Sequence, residues 1–229
     1  MLKKLFTYTL LFCSLLLCTS CFEILEEINL NKDGTGRITV TANLSKSKSK
    51  LASVMLLDSV NGYKVPSKDD INLAIKNAID HLGKTEGISN IEKSVDFDNY
   101  IFSISCDFKS VENVNSIFKE LITKQNKREK TNFNTTNFSY NNANHQFKRH
   151  FRYDGSVKKT FNSLKQEDKK VFNDASYTTI YRFKSLVKSV SNSASKISPN
   201  KKAVFLRVAA MSLISGEKTV ENTIQLINN

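Results

Sequence analysis

Four cysteines, three histidines and a few adjacent acids are the side chains of this 229-residue chain whose types could carry chemistry. Cys18 and Cys21 stand three apart in "LLLCTSCFEILEE", a spacing open to a metal knuckle, part of a disulfide framework or a processed terminus. His145 and His150 in "HQFKRH" would point to opposite faces of a strand and would be poorly separated on a helix, so no metal pair is expected there. His81 falls near the end of a helical pattern, where it favours the C-terminal dipole. "NLNKDGTG" puts Asn29, Asn31, Asp33 and Gly34 at the first, third, fifth and sixth positions of a calcium loop, but Val40 stands where the bidentate Glu belongs. With β pattern around it, the stretch reads as a hairpin turn in which Gly34 takes positive φ. The pairs Glu26–Glu27 and Asp69–Asp70 read as a strand surface and a helix N-terminus. No G-x-S-x-G elbow, H-E-x-x-H or Gly-rich phosphate loop occurs. The expectation is therefore no catalytic residues, no metal and no cofactor.

The N-terminus decides the fate of the cysteines. Lys3 and Lys4 precede an apolar run from Leu5 to Leu17. That run is shorter than the ~20 residues needed to cross a hydrocarbon core and has the length of a signal-peptide core. Leu17, Cys18, Thr19 and Ser20 then lead into Cys21, with small residues directly before it. These residues resemble the bacterial lipoprotein signal, whose lipobox runs apolar, small, small, Cys; Cys18 stands where Leu is usual. The resemblance implies that residues 1–20 are cleaved and that Cys21 becomes the lipidated first residue, thioether-linked to diacylglycerol. Cys13 and Cys18 leave with the signal, and Cys106 remains without a disulfide partner. Two or more acyl chains give stable attachment where one is marginal. Phe22 is not the Asp that the family's sorting rule associates with inner-membrane retention, which implies the outer membrane.

The formal charge of +12 allows nucleic acid, an anionic membrane or an acidic polymer as partner. An envelope location removes nucleic acid. Lysines are scattered, and the densest basic-aromatic segment is "FKRHFRYDGSVKK", where Lys148, Arg149 and Arg152 interleave with Phe147, Phe151 and Tyr153. Those three bases are the candidate anion-binding surface. The competing reading of the same segment is an amphipathic strand with its aromatics inside.

These residues need elements to hold them. Ile38, Val40, Ala42 and Leu44 alternate with polar neighbours, and Ile24, Glu26, Ile28 and Leu30 suggest the partner strand, so a hairpin begins directly after Cys21. A helical zone follows from Ser47 to Leu57. A clearer helix runs from Ser67 to Leu82, with Ser67 as N-cap and Ile71, Ala74, Ile75, Ala78, Ile79 and Leu82 as its apolar stripe. "ISNIEKSVDF" and "NYIFSISCDF" form a second hairpin that places Cys106 in step with Phe102 and Ile104 as a small core residue. Ser110 caps another helix with Val111, Val114, Ile117, Phe118, Leu121 and Ile122 inward.

Residues 23–122 thus read β-β-α-β-β-α: an α+β fold with an antiparallel sheet and amphipathic helices packed on one face. After a polar connection at 124–136, the C-terminal half is β-rich. It reads as the strands "NFSYN" and "HQFKRHFRY", a helix over Leu164–Ala175, one long strand "SYTTIYRFKSLVKSV", then "KAVFLRVAAMSLI" and a final strand in "KTVENTIQLI". Residues 21–229 are taken as a single domain, with 124–136 the place where a subdivision would fall.

The order of elements, the "NKDGTG" turn and the "YRFKSLVKSVSNSASKIS" segment resemble the LppM-type domain of bacterial lipoproteins. That likeness implies an envelope-attached α+β domain and brings no catalytic residues. The expected function is a non-catalytic binding or structural component of the envelope, tethered to the membrane and touching an envelope protein or anionic polymer. The alternatives are a lipid or small-ligand carrier, which needs an apolar cavity, and an enzyme acting on envelope glycans or lipids.

Overall fold

The computed structural model describes residues 22–60, 62–115 and 136–228. Cys21, the signal at 1–20, and Ile117, Phe118, Leu121 and Ile122 lie outside the described residues.

The first hairpin forms as its alternation demands. Strands β1 (Glu23–Leu30) and β2 (Gly36–Asn43) pair in antiparallel register from Glu23↔Asn43 to Leu30↔Gly36. Between them Gly34 sits at φ +88°, and the Asp33 carboxylate accepts the Thr35 N–H at 3.0 Å. Gly36 is required for a different reason: a Cβ there would lie 2.2 Å from the Asn29 carbonyl oxygen. Helix α1 (Lys48–Val54) and the short hairpin of β3 (Ser59–Val60) and β4 (Tyr63–Lys64) lead to helix α2 (Lys68–Leu82). Strands β5 (Ile88–Asp96) and β6 (Ile101–Phe108) complete the first half.

The C-terminal half contributes to two sheets. Strands β7 (Phe138–Asn141) and β8 (Gln146–Arg149) precede helices α3 (Gly155–Ser163) and α4 (Gln166–Lys169). Then come β9 (Ser176–Phe183), β10 (Val187–Val190), β11 (Lys196–Ile197), β12 (Ala203–Ala209), helix α5 (Ala210–Ser215) and β13 (Asn222–Leu226). The large sheet runs β11-β12-β9-β1-β2-β6-β5, antiparallel except for the parallel pair of β1 and β9; the small sheet runs β10-β13-β8-β7. The fold is α+β and dominated by antiparallel strands, as the alternation predicts.

Three expectations change, the first being that the helix expected over Leu164–Ala175 is confined to Gln166–Lys169 and a 3-10 turn at Lys170–Phe172. The "SYTTIYRFKSLVKSV" stretch is not one strand, because the chain leaves the large sheet after Phe183 and joins the small one at Val187. The strand expected through Tyr153 ends at Arg149, and a helix starts at Gly155, where the Asp154 side chain accepts the Ser156 N–H at 2.8 Å.

One face of the large sheet is the inner face. Register aligns Glu26 with Val40 and Thr179, and Ile28 with Ile38 and Tyr181. The small sheet covers one half of this face, and Phe147 is buried with its ring 5.0 Å from that of Tyr181 and 5.7 Å from that of Phe183. Each such fully buried side chain contributes about 1.5–3 kcal/mol by leaving water. The outer face is solvated and carries the pairs Arg182–Glu27 at 2.9 Å and Arg37–Asp107 at 2.8 Å. Among the described residues no helix is long and apolar enough to cross a membrane.

Candidate functional site

Helix α2 covers the other half of the inner face, and its start is well defined. The Ser67 hydroxyl accepts the Asp70 N–H at 3.0 Å, and the Asp70 carboxylate accepts the Ser67 N–H at 3.0 Å, a reciprocal capping box. That backbone N–H, followed by the Lys64 ammonium, holds the Asp70 carboxyl below its usual range. From this cap the apolar stripe is aimed at the sheet.

The contact is incomplete. Between α2 and strands β2 and β6 lies a cleft of about 300 Å³. Ile38, Val40 and Ala42 form its floor from β2, with Phe102, Ile104 and Cys106 from β6. Ile75, Ala78, His81 and Leu82 form its roof, and Val114 closes one side. Two alanines stand where larger side chains would fill the space. The volume is at the low end of the roughly 300–1,000 Å³ of small-molecule sites. Its walls are almost wholly apolar, so shape and water exclusion, rather than hydrogen bonding, would select an occupant.

Cys106, on the cleft floor, is 2% exposed. Burial pushes its thiol up to about 11, against the smaller downward pull of Arg37 and with the help of Asp107. A protonated thiol is a poor nucleophile, so Cys106 serves here as a small apolar wall.

At the boundary between the two halves sits a charged cluster that the sequence reading missed. Glu26, read above as part of a strand surface, is 0% exposed. Its carboxylate accepts Arg149 Nε and Nη2, each at 3.2 Å, the Tyr177 hydroxyl at 2.6 Å, and the Tyr181 hydroxyl. Arg149 Nη1 donates to the His150 carbonyl at 2.7 Å, and the guanidinium lies 4.8 Å from the Phe138 ring centroid. Burial opposes the charge on Arg149, but the Glu26 carboxylate outweighs it and the net shift is upward. Burial, and then the same carboxylate, pushes Tyr177 and Tyr181 up, so both phenols stay protonated donors. The signal was in the register: Glu26 is in step with Ile24, Ile28 and Leu30, which all face inward.

This geometry separates the three predicted bases. Arg149 is 6% exposed and engaged with Glu26, so it presents nothing to an external anion. Lys148 is half-buried on the opposite side of β8, and Arg152 is exposed beyond the strand's end. A surface site on this segment would rest on Lys148 and Arg152 without their central partner. Of the histidines, His150 Nε2 lies 2.8 Å from Ser139 Oγ, His145 takes φ 51° in the β7–β8 turn, and His81 lines the cleft.

No family model matches the chain, and no curated protein matches it. Among solved structures, the NMR structure of the folded domain of LppM from Mycobacterium tuberculosis is similar at 11% identity and a TM-score of 0.42, over 90% of this chain and 88% of that one.

Proposed function

We propose that this chain is a non-catalytic, lipid-anchored protein of the bacterial cell envelope that holds an apolar ligand, such as a lipid acyl chain, in the cleft under α2. The observation that carries the ligand reading is the cleft: about 300 Å³ with Ala42 on its floor and Ala78 on its roof. A fully packed interior would have removed the carrier reading. The anchor is Cys21, supported by the basic, apolar and small-residue pattern of residues 3–21, and Phe22 favours the outer membrane.

Two measurements test the two parts separately. The purified protein should take up a fluorescent fatty acid, and Ala78→Phe should abolish uptake while the melting temperature stays within a few degrees. A native chain that leaves the probe in water overturns the ligand reading. Cys21→Ser should move the protein from the membrane to the soluble fraction, and unchanged fractionation overturns the anchor.

A further inference from the structure

The sheet has two ends, and the chain enters at one of them. Register places Glu23, the first residue of β1, beside Asn43 at the end of β2 and Ser176 at the start of β9. The same end holds Ile101 at the start of β6 and Ala209 at the end of β12. Backbone bonds tie the connections there: Ser176 N–H to the Phe22 carbonyl at 3.0 Å, Leu44 N–H to Tyr100 at 3.0 Å, and Ala210 N–H to Ala175 at 2.8 Å. Helix α1 and the turn after it therefore lie at the end of the molecule from which Phe22 starts, one residue from Cys21.

That end is unlike the other. Leu56 is 87% exposed and Leu57 is 53% exposed, directly after α1. Lys46, Lys48 and Lys50 are exposed just before them in the chain, and between residues 44 and 64 Asp58 is the one acid. Asp96 and Asp98 lie in the neighbouring turn, where Asp96 accepts the backbone N–H groups of Asp98 and Asn99. Lys48 Nζ donates to Asn99 Oδ1 there at 3.3 Å, a weak exposed contact that headgroup phosphates would replace. At the opposite end the turns at 31–35, 83–87 and 141–145 consist of polar or small residues and carry none of the large exposed hydrophobics. Two protruding leucines preceded by three exposed lysines are the pattern of a segment that inserts its apolar tips between anionic headgroups while its ammoniums meet the phosphates.

We infer that the α1 end of the sheet seats on an anionic lipid bilayer, with Leu56 and Leu57 inserted and Lys46, Lys48 and Lys50 on the headgroups. The inference rests on Cys21 being the lipidated residue, since acyl chains there bring this end, and not the polar one, to the membrane. Seating fixes the orientation of the domain, which a flexible tether would not.

The lipidated protein is reconstituted into phosphatidylcholine vesicles containing phosphatidylglycerol and brominated acyl chains. An environment-sensitive probe is placed on Leu57→Cys, or on Lys184→Cys at the far end; Cys106 is too buried to compete for the label. The probe at 57 should be quenched severalfold and the probe at 184 left unchanged, and replacing Lys46, Lys48 and Lys50 with Gln should remove most of the quenching. Equal behaviour of the two probes, as expected if this end meets a protein instead, overturns the proposal. Flotation and the mass of the N-terminal peptide report the anchor independently. If they show no diacylglycerol on Cys21, the anchor reading fails and the Cys21→Ser chain freed of its signal decides the surface. It should prefer phosphatidylglycerol vesicles over pure phosphatidylcholine by on the order of a hundredfold at low salt; no preference overturns the seating.

Discussion

The inner face of the large sheet is built twice over, and its halves differ in what covers them. Over β1, β9 and β12 a second sheet packs down with Phe138 and Phe147 against Tyr181 and Phe183, and all four rings are buried. Over β2 and β6, among the described residues, helix α2 packs down with Ile75, Ala78 and Leu82 around a cleft of about 300 Å³. A flat sheet lined with rings can close on its partner everywhere. A cylinder over a twisted sheet closes only where its side chains are long enough, and Ala42 and Ala78 line the cleft where they are not. Among the described residues the buried pair of Glu26 and Arg149 sits where the two halves meet, and the lining of the open half is apolar. Under the proposed function, stability and binding fall to different parts of one face.

The largest expected effect lies where the closed half meets the open one. Glu26→Gln or Arg149→Met alone should cost about 3–5 kcal/mol in urea unfolding, because each leaves its partner charged and buried. The double change of Glu26→Leu with Arg149→Met should recover most of that loss. Singles that cost under ~1 kcal/mol would show that the pair does not hold this junction together.

Alkaline pH addresses the open half. The Cys106 thiol has an unfolded reference of 9.0 and is pushed up to about 11 in the fold. Stability should therefore be level below pH 9 and fall as pH rises from 9 toward 11, since the unfolded chain loses this proton first. The loss is up to about 2–3 kcal/mol. Tyr177 and Tyr181 are shifted in the same direction, so the readout is the difference from Cys106→Ala, whose unfolding profile should be the flatter one.

A smaller effect concerns the roof. Ser67→Ala removes the hydroxyl that accepts the Asp70 N–H and should lower stability by about 1 kcal/mol. Fatty-acid affinity should fall with it if α2 has to be held down to shape the cleft; a chain that melts earlier but binds unchanged would place the binding elsewhere. The smallest effect on stability should come from Ala78→Leu, which adds methylenes to space already open and should change the unfolding midpoint by less than ~1 kcal/mol. Its signature is reduced uptake of the longest acyl probes.

Much of this fold was legible in the residues. Period-two alternation located β1, β2, β6 and β9, strand-like composition located β5, β7 and β13, the Ser67 cap located α2, and "NKDG" located a turn rather than a calcium loop. The failures were local signals with tertiary answers. The run from Ser176 to Val190 is uniformly strand-like, so nothing in it marks the crossing between sheets at Lys184. Arg149 sits among lysines and aromatics that suggest a surface, yet it shares the inward step of Phe147. Glu26 was placed in step with apolar neighbours but read as exposed, because a lone carboxylate is rarely buried without a partner. Its partner is 123 residues away.

What was settled along the chain is therefore whatever depends on neighbours within a few residues: alternation, caps, turns and the pattern around Cys21. What waited for the tertiary structure is whatever depends on two distant segments meeting. The parallel pairing of β1 with β9, the meeting of Glu26 with Arg149, and the gap left between Ala42 and Ala78 are all of that kind. Electrostatic pairing and unfilled volume are properties of contacts, and a one-dimensional pattern of side chains does not contain them.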